Sequence, residues 1–286
     1  TQTIQVVGEG GLGKTTLAVA VCRVDAIRTL YPDGIFWVSM GGGKDVYSSV
    51  KELARLCGMT AEFLSVRDGY RLLTDFLRPK RVLVVIDDAA TLDQLSGLVV
   101  TGPSAATLIT TRRYLTGLSS IRIKPHALSP EEARAFIGAD DRATEPLTNS
   151  DVELLISAAG GLPLALAIGS ATLHSTGNLA ATLEILKRDD FGDHPFANAF
   201  AVVGAAVALF SQGDLAQIRS LVIFESSSPI PVEIVHRWWS FESGMSESYA
   251  DTLIDALNRR GLIELSGARG SQSFLMHDLV GAFLEF

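Results

Sequence analysis

Cysteine is scarce in this sequence, since Cys22 and Cys57 are the only two among 286 residues. Neither has a second cysteine or a histidine at the spacing of a metal site, so the sequence does not indicate a zinc module. A disulfide between the two stays open without support, and buried thiols in a reducing cytosol are the better interpretation. We therefore expect a cytoplasmic protein.

Basic residues are also fewer than acidic ones. Lys and Arg number 24 against 32 Asp and Glu, which gives a formal net charge of -8. This balance excludes the global basic field of a protein that binds nucleic acid or acidic membranes by charge alone. The sequence does not start with a basic segment followed by an apolar run, so no signal peptide is predicted.

Two stretches, 154–175 and 195–213, contain no Asp, Glu, Lys or Arg. By length alone either could cross a bilayer. Both are rich in Ala, Gly and Ser rather than Leu and Ile, and the first contains Gly160-Gly161-Leu162-Pro163. We interpret both as buried core helices, with a membrane span as the alternative.

The first part of the chain alternates short apolar runs with helical patterns. The strand-like runs are 4–7, 34–38, 81–86, 108–111 and 121–123, and the helical segments between them are 17–24, 48–57 and 70–77. The run 81–86 is apolar on both faces, as in the interior of a parallel sheet. This order predicts an α/β fold in residues 1–127, a P-loop NTPase parallel sheet flanked by helices.

Beyond residue 127 helical patterns predominate, and they predict a helical domain over 128–192 and a winged-helix domain over 193–286. The first helix starts at Ser129-Pro130-Glu131-Glu132, with proline at its first position and acids in its first turn. Further helices are predicted at 151–159, 163–173 and 181–187, with a linker at 189–195. The winged-helix pattern consists of helices at 198–210, 215–223, 232–239 and 248–260, followed by strands at 261–265 and 273–276.

A glycine-rich loop follows the first strand and carries the strongest functional pattern, G-x-x-x-x-G-K-T from Gly8 to Thr15. Glycines let backbone N–H groups surround phosphates, and the helix that follows adds its positive end. Lys14 would meet the β- and γ-phosphates, and the Thr15 hydroxyl would bind Mg²⁺. A flexible glycine turn is the alternative, but the flanking strand and helix favour a P-loop for ATP or ADP. The predicted nucleotide-binding residues are Gly8, Gly10, Gly11, Leu12, Gly13, Lys14, Thr15 and Thr16.

An acidic pair, Asp87 and Asp88, ends the apolar run 81–86. Acids at the carboxyl end of an interior strand point into the crevice where open α/β sheets bind ligands. Asp87 is predicted to hold Mg²⁺, directly or through water, together with Thr15. Asp88 is the candidate for orienting the attacking water. A strand end capped by acids is the alternative for both residues.

A basic residue follows the next strand, in Thr110-Thr111-Arg112. A guanidinium at this place can reach the γ-phosphate and report its presence. Asp87, Asp88 and Arg112 are thus the predicted catalytic residues. Arg113 is equally basic and stays an alternative to Arg112.

With these elements placed, the sequence resembles the NB-ARC family of STAND signalling ATPases, which includes plant disease-resistance proteins, the animal apoptosome ATPase and many bacterial regulators. Six motifs carry the resemblance in order, at 7–16, 36–38, 83–88, 108–112, 161–165 and 276–278. The last two read Gly161-Leu162-Pro163-Leu164-Ala165 and Met276-His277-Asp278, and they separate the family from other P-loop ATPases. The resemblance covers essentially the whole chain.

The resemblance implies two further nucleotide contacts. Pro163 would pack near the adenine and ribose and couple the helical domain to the nucleotide, and His277 would contact the β-phosphate of ADP. Without the family pattern, His277 would be interpreted as an ordinary residue between a hairpin and a helix. Asp278 is expected at the N-cap of a helix over 279–284.

The resemblance also implies a nucleotide-operated signalling switch, in which an ADP-bound closed monomer exchanges ADP for ATP, opens and self-associates. Slow ATP hydrolysis with Mg²⁺ would reset it, and effector and sensor domains would lie outside this chain, in defence or other signalling. A winged-helix transcription regulator under ATP control and an ordinary P-loop ATPase stay as alternatives. Direct nucleic-acid binding is not favoured, because residues 195–286 hold ten acids against five arginines.

Overall fold

The computed structural model describes residues 2–41, 44–60, 62–100, 102–139, 148–176, 197–224, 229–268 and 270–286, together with Glu184. The chain divides into two compact units, Thr1–His126 and Ala127–Phe286. The first unit is built around a parallel sheet, and the second around packed helices.

The first unit contains a five-stranded parallel sheet. Its strands are β1 (Gln2–Val7), β2 (Ile35–Ser39), β3 (Leu83–Ala89), β4 (Ala106–Thr111) and β5 (Ile121–Ile123). Across the sheet the order is β2-β3-β4-β1-β5, and every neighbouring pair is parallel. Strand β4 therefore lies between the strand that leads into the glycine loop and the strand that carries Asp87 and Asp88.

Helices pack on both faces of this sheet. They are α1 (Lys14–Arg23), α2 (Asp25–Leu30), α3 (Val46–Leu56) and α4 (Val66–Leu77). Successive side chains of a strand point to opposite faces, so Leu83 and Val85 pack in one core with Ala18 of α1. Val84 and Ile86 lie in a second core with residues of α3 and α4. Burial on both faces explains why 82–86 is continuously apolar. It confirms the predicted interior strand, although β3 begins at Leu83, after the exposed Arg81, and continues to Ala89.

The second unit is mainly helical. Its helices are α5 (Pro130–Gly138), α6 (Asn149–Ala159), α7 (Pro163–Thr176), α8 (Ala197–Val207), α9 (Gln212–Ser220), α10 (Val232–Ser243), α11 (Glu247–Arg259) and α12 (Asp278–Glu285). Helix α5 begins as predicted, because Pro130 is its first residue and Ser129 and Glu132 form a capping box. Leu166 and Val203, from the two uncharged stretches, are buried in the core of this unit, which confirms them as core helices.

No helix in the described part of the chain combines the length and the apolar character needed to span a membrane.

A small antiparallel sheet accompanies the helices of the second unit. Its strands β6 (Ile230–Pro231), β7 (Ile263–Ser266) and β8 (Ser273–Met276) lie in the order β6-β8-β7. The pairing of β7 with β8 confirms the predicted final two strands. Strand β6 is an addition, and its two residues are too few to give a sequence pattern.

Several boundaries differ from the predicted ones. Helix α2 has no predicted counterpart. The predicted helix 198–210 ends at Val207, and Ser211 caps the next helix by accepting a hydrogen bond from the Asp214 N–H. The expected N-cap at Asp278 is wrong: His277 occupies the N-cap, and Asp278 is the first helical residue. The Asp278 carboxylate lies in the first turn, where the helix dipole favours negative charge.

Other predictions fall on parts of the chain that the structure does not describe. They are the helix at 181–187, apart from Glu184, the linker at 189–195 and the boundary between residues 192 and 193.

The two cysteines are free. The sequence predicted buried thiols, but each cysteine is only half-buried. Burial raises the pKa of both thiols, that of Cys57 to about 11. The reactive thiolate form is therefore disfavoured at neutral pH.

Candidate nucleotide site

The glycine loop begins where β1 ends and is fixed at both ends. The Gly8 N–H donates to the Thr111 carbonyl at 3.1 Å, which joins the loop to the end of β4. At the other end, Gly13 has a φ of 75° and forms the N-cap of α1, and Gly11 has a φ of 79°. Glycine adopts such positive φ angles without a steric cost, so the chain turns directly from the strand into the helix.

Lys14 is the first residue of α1 and is buried although it is charged. Its ammonium donates to the Glu9 carbonyl at 2.8 Å and so lies against the loop. The first turn, residues 14–17, includes no acid that would offset the positive end of the helix. An ammonium beside the backbone N–H groups of a helix start suits a phosphate group.

Thr15 and Thr16 are exposed in the same turn. The Thr15 hydroxyl donates to Asp87 Oδ1 at 2.9 Å, although the two residues are 72 positions apart in sequence. Asp87 is buried near the end of β3, and its carbonyl accepts a hydrogen bond from the Met40 N–H at 2.8 Å. The structure thus brings together the two residues that the sequence assigns to Mg²⁺.

A β-bulge sets the conformation of the acidic pair. The pairing of β3 with β4 runs in register to Ile86 and resumes at Ala89, so Asp87 and Asp88 together lie opposite Thr110. Asp88 has a φ of 53° and is the one non-glycine residue with positive φ in the described segments. Aspartate tolerates this left-handed conformation better than most residues, but the conformation still has an energetic cost.

The Thr110 hydroxyl fills the gap that the bulge leaves in the β3–β4 ladder. It accepts a hydrogen bond from the Asp88 N–H at 2.9 Å and donates one to Asp87 Oδ1 at 2.5 Å. Thr110 is 1% exposed, and its bond to Asp87 is buried and so shielded from water. Two hydroxyls, from Thr15 and Thr110, therefore hold the same oxygen of Asp87.

Arg112 follows β4 and lies close to the acidic pair. Its Nε is 3.8 Å from Asp88 Oδ1, and its side chain is half-exposed. The backbone of Arg113 is held by the Thr111 hydroxyl, which accepts from the Arg113 N–H at 3.3 Å and donates to its carbonyl at 2.8 Å. The contact with Asp88 favours Arg112 over Arg113 as the arginine of this site.

The two remaining predicted residues belong to the second unit. Pro163 is the first residue of α7 and is partly exposed. His277 is the N-cap of α12, and its Nε2 lies 3.4 Å from Oε1 of Glu264 on β7. The hydrogen bond from His277 lowers the pKa of the Glu264 carboxyl. The His277 side chain thus has a carboxylate partner that the sequence did not reveal.

Two polar residues of this region were missed as site residues, namely Gln5 and Thr110. Both lie within buried strands, Gln5 on β1 and Thr110 on β4. The sequence feature that could have identified them is a polar side chain within a strand, because a buried polar group needs a hydrogen-bond partner. The sequence could not identify those partners.

Comparisons with known proteins relate the first part of the chain to a known domain family. Residues 1–138 match the model of the NB-ARC domain. The regulatory protein AfsR of Streptomyces coelicolor is 30% identical over 177 residues, which are 58% of this chain and 17% of AfsR. The probable disease resistance RPP8-like protein 2 of Arabidopsis thaliana is 28% identical over 185 residues, 58% of this chain and 20% of that protein. The chain therefore spans a fifth or less of the length of either relative.

A solved structure extends the likeness beyond the first unit. It is a signal transduction ATPase with numerous domains (STAND) from Pyrococcus horikoshii that has a tetratricopeptide repeat sensor. It covers 99% of this chain, and the match takes in 40% of that protein, with a TM-score of 0.60 and 20% identity. At this identity the likeness is one of fold. Residues 1–138, with the glycine loop, the acidic pair and Arg112, are an NB-ARC domain.

Proposed function

We propose that this chain is the nucleotide-operated switch module of a signalling ATPase. Bound ADP keeps the module in a closed, monomeric form, exchange for ATP favours an open form that self-associates, and slow hydrolysis restores ADP. ATP drives this change only to the extent that it binds the open form better than ADP does. The observation that carries the proposal is the hydrogen bond from Thr15 to Asp87, beside the glycine loop of an NB-ARC domain.

The phosphates lie in the glycine loop in this proposal. Backbone N–H groups from the loop and from the first turn of α1 surround them, and Lys14 gives up the Glu9 carbonyl to contact the β-phosphate. Because Lys14 is buried, its charge is less screened by water than that of a surface lysine.

The residues assigned to Mg²⁺ fit that ion. The Thr15 hydroxyl and the Asp87 carboxylate are oxygen ligands that already lie 2.9 Å apart, and Mg²⁺ prefers oxygen. Thr15 and Asp87 would hold the ion, and water and phosphate oxygens would supply its other ligands, as is usual for nucleotide sites. When bound, Mg²⁺ offsets the negative charge of the phosphates.

Asp88 and Arg112 respond to the γ-phosphate in this proposal. Asp88 orients the attacking water, and Arg112 binds the γ-phosphate when it is present. With ADP the guanidinium has no γ-phosphate to bind and stays near Asp88, where the structure has it. Release of Arg112 from Asp88 on ATP binding would free that carboxylate for the water.

The second unit completes the module. We assign residues 128–192 to a helical domain and residues 193–286 to a winged helix, since α10 and α11 are followed by the paired strands β7 and β8. Pro163 contributes to the adenine and ribose contacts. His277 contacts the β-phosphate of ADP and so favours the closed form.

The nucleotide that copurifies with the chain tests the proposal. The chain is purified without added nucleotide and denatured, and the released nucleotide is identified by ion-exchange chromatography. Near-stoichiometric ADP is expected from the wild type, and none from Lys14→Ala. The matched control is Lys51→Ala, which removes a lysine that lies against Tyr47 in the same unit and should leave the ADP content unchanged. An empty wild-type chain that hydrolyses ATP at roughly 10 per second, the rate of a median enzyme, would overturn the switch.

A further inference from the structure

Gln5 is a polar residue in the middle of a buried strand. It lies on β1, two residues before the end of the strand, and it is 0% exposed. Its neighbours Ile4, Val6 and Val7 are apolar. Burying a primary amide without hydrogen-bond partners would cost about 2–7 kcal/mol. The partners of Gln5 therefore explain why the strand can hold a polar side chain.

All three hydrogen bonds of the Gln5 side chain go to the segment between β4 and β5. Its Oε1 accepts from the Leu115 N–H at 3.0 Å, and its Nε2 donates to the Leu115 carbonyl at 3.1 Å. The same Nε2 donates to the Ser120 hydroxyl at 2.8 Å. The amide thus bonds both backbone groups of Leu115, much as a neighbouring strand would.

This contact fixes the backbone immediately after Arg112. On one side of Arg112, Thr111 ends β4 and holds the Arg113 backbone through its hydroxyl. On the other side, three residues along, Leu115 is bound to Gln5. A guanidinium on a segment held at both ends loses less conformational freedom when it binds a phosphate.

We propose that Gln5 is a positioning residue for Arg112 and thereby determines how strongly the site prefers ATP to ADP. The inference rests on the proposed role of Arg112 at the γ-phosphate. Gln5 itself contacts no nucleotide. Its effect is expected mainly at the γ-phosphate, because its three hydrogen bonds go to the segment after Arg112, whereas the other phosphates would be held by the loop and Lys14, which follow β1.

The test compares MgATP and MgADP affinities, measured by titration with each nucleotide on the full chain after its own nucleotide has been removed. Gln5→Leu has a similar volume and removes all three hydrogen bonds. We expect it to weaken ATP binding about tenfold, equal to about 1.4 kcal/mol, while ADP binding stays near the wild-type value. Ser120→Ala removes one of the three bonds and should give a smaller change in the same direction.

The matched control is Thr107→Val on β4. The Thr107 hydroxyl is buried and has no hydrogen-bond partner among the described residues. Its removal takes a polar group out of the sheet without breaking a hydrogen bond to the segment between β4 and β5. Both affinities should stay unchanged in this variant. If Gln5→Leu does not fold, Ser120→Ala alone decides the question, because its effect on ATP must exceed its effect on ADP.

The variant Arg112→Ala distinguishes a failure of the role proposed for Arg112 from a failure of the role proposed for Gln5. Loss of ATP preference in Arg112→Ala, with an unchanged ratio of affinities in Gln5→Leu or in Ser120→Ala, would overturn the role of Gln5 and leave that of Arg112 intact. Equal losses of ATP and ADP in those variants would mean a general structural role and would also overturn it. An unchanged ratio in Arg112→Ala would overturn the role of Arg112 and, with it, the inference about Gln5.

Discussion

At the scale of single residues, one hydroxyl group, that of Thr110, holds the acidic pair of the candidate site. It contacts both acids of the candidate site, as an acceptor for the Asp88 N–H and as a donor to the Asp87 carboxylate. Without it, the Asp88 N–H would lose this acceptor, and Asp87 Oδ1 would lose one of its two hydroxyl donors. In the proposed Mg²⁺ site Thr15 would turn toward the ion, and we expect the contact between Thr110 and Asp87 to persist.

Thr110→Val should therefore weaken the Mg²⁺-dependent part of nucleotide binding. The lost hydrogen bond to a charged group is worth about 1.5–3 kcal/mol, which predicts a loss of at least about tenfold in MgATP and MgADP affinity. Titration with and without Mg²⁺ measures this part separately. Thr110→Ser keeps the hydroxyl and should restore most of the affinity. Equal affinities in the wild type and Thr110→Val would show that the bulge holds Asp87 without this hydroxyl.

Glu264 gives a prediction about pH. Its pKa is lowered, chiefly because His277 donates a hydrogen bond to its carboxylate. A native pKa below the unfolded value stabilises the fold above the unfolded pKa, and this stability is lost as the pH falls through the native pKa. Because the Glu264 side chain is mostly exposed, the contribution should not exceed about 1 kcal/mol.

Glu264→Gln should accordingly lower the free energy of unfolding at pH 6 by at most about 1 kcal/mol and leave it unchanged by roughly pH 3, below the ordinary carboxyl range. Urea denaturation at the two pH values measures both quantities. Glu242→Gln, on α10, is the control and should have little effect at either pH. A difference of the same size at both pH values would show that the charge of Glu264 is not its cause.

At the scale of secondary-structure elements, the sequence predicted those strands and helices that depend on residues close together in sequence. The apolar residues 83–86 form a strand that is buried on both faces. Helix α5 starts at Pro130 because Ser129 and Glu132 cap it. The bulge at Asp87 and Asp88 and the Gln5 contacts depend instead on residues more than 20 positions away in sequence. Such pairings follow from the strand order, which periodicity does not encode. The candidate site was therefore predicted as a set of residues, but without its supporting contacts.

The turn before α7 shows how an element boundary depends on one glycine. Gly161 has a φ of 71°, and its carbonyl accepts a hydrogen bond from the Leu128 N–H at 2.8 Å. A Cβ at this position would lie 2.4 Å from the Leu128 carbonyl oxygen. The oxygen belongs to the backbone, and the backbone of residue 161 fixes where a Cβ lies, so neither atom can move without displacing the turn that leads into Pro163.

Gly161→Ala should thus destabilise the second unit by about 1–3 kcal/mol, the cost of a strained backbone conformation. The control is Gly138→Ala in α5, where an added Cβ would meet no atom within 4 Å. That variant should be neutral or stabilising by up to about 1 kcal/mol. Thermal unfolding of both variants is the measurement. Equal stability of the two would mean that the turn can shift at little cost.

At the scale of the whole molecule, the residues proposed for the nucleotide are divided between the two units. The loop, the acidic pair and Arg112 belong to Thr1–His126, whereas Pro163 and His277 belong to Ala127–Phe286. A ligand that contacts both units when it is ADP, and contacts them differently when it is ATP, can shift the equilibrium between two forms of the chain. His277 is the most direct test of this, because its proposed contact is specific to ADP.

His277→Ala should release ADP faster and self-associate without added ATP. Loss of one hydrogen bond to a charged phosphate, about 1.5–3 kcal/mol, predicts release at least about tenfold faster. Stopped-flow exchange of a fluorescent ADP measures the rate, and light scattering after gel filtration measures the mass. The matched control is His236→Asn, which removes a second histidine–carboxylate pair, with Asp251 at 2.8 Å, and should leave both properties unchanged. If His277→Ala stays monomeric and keeps ADP as tightly as the wild type, His277 does not hold the closed form.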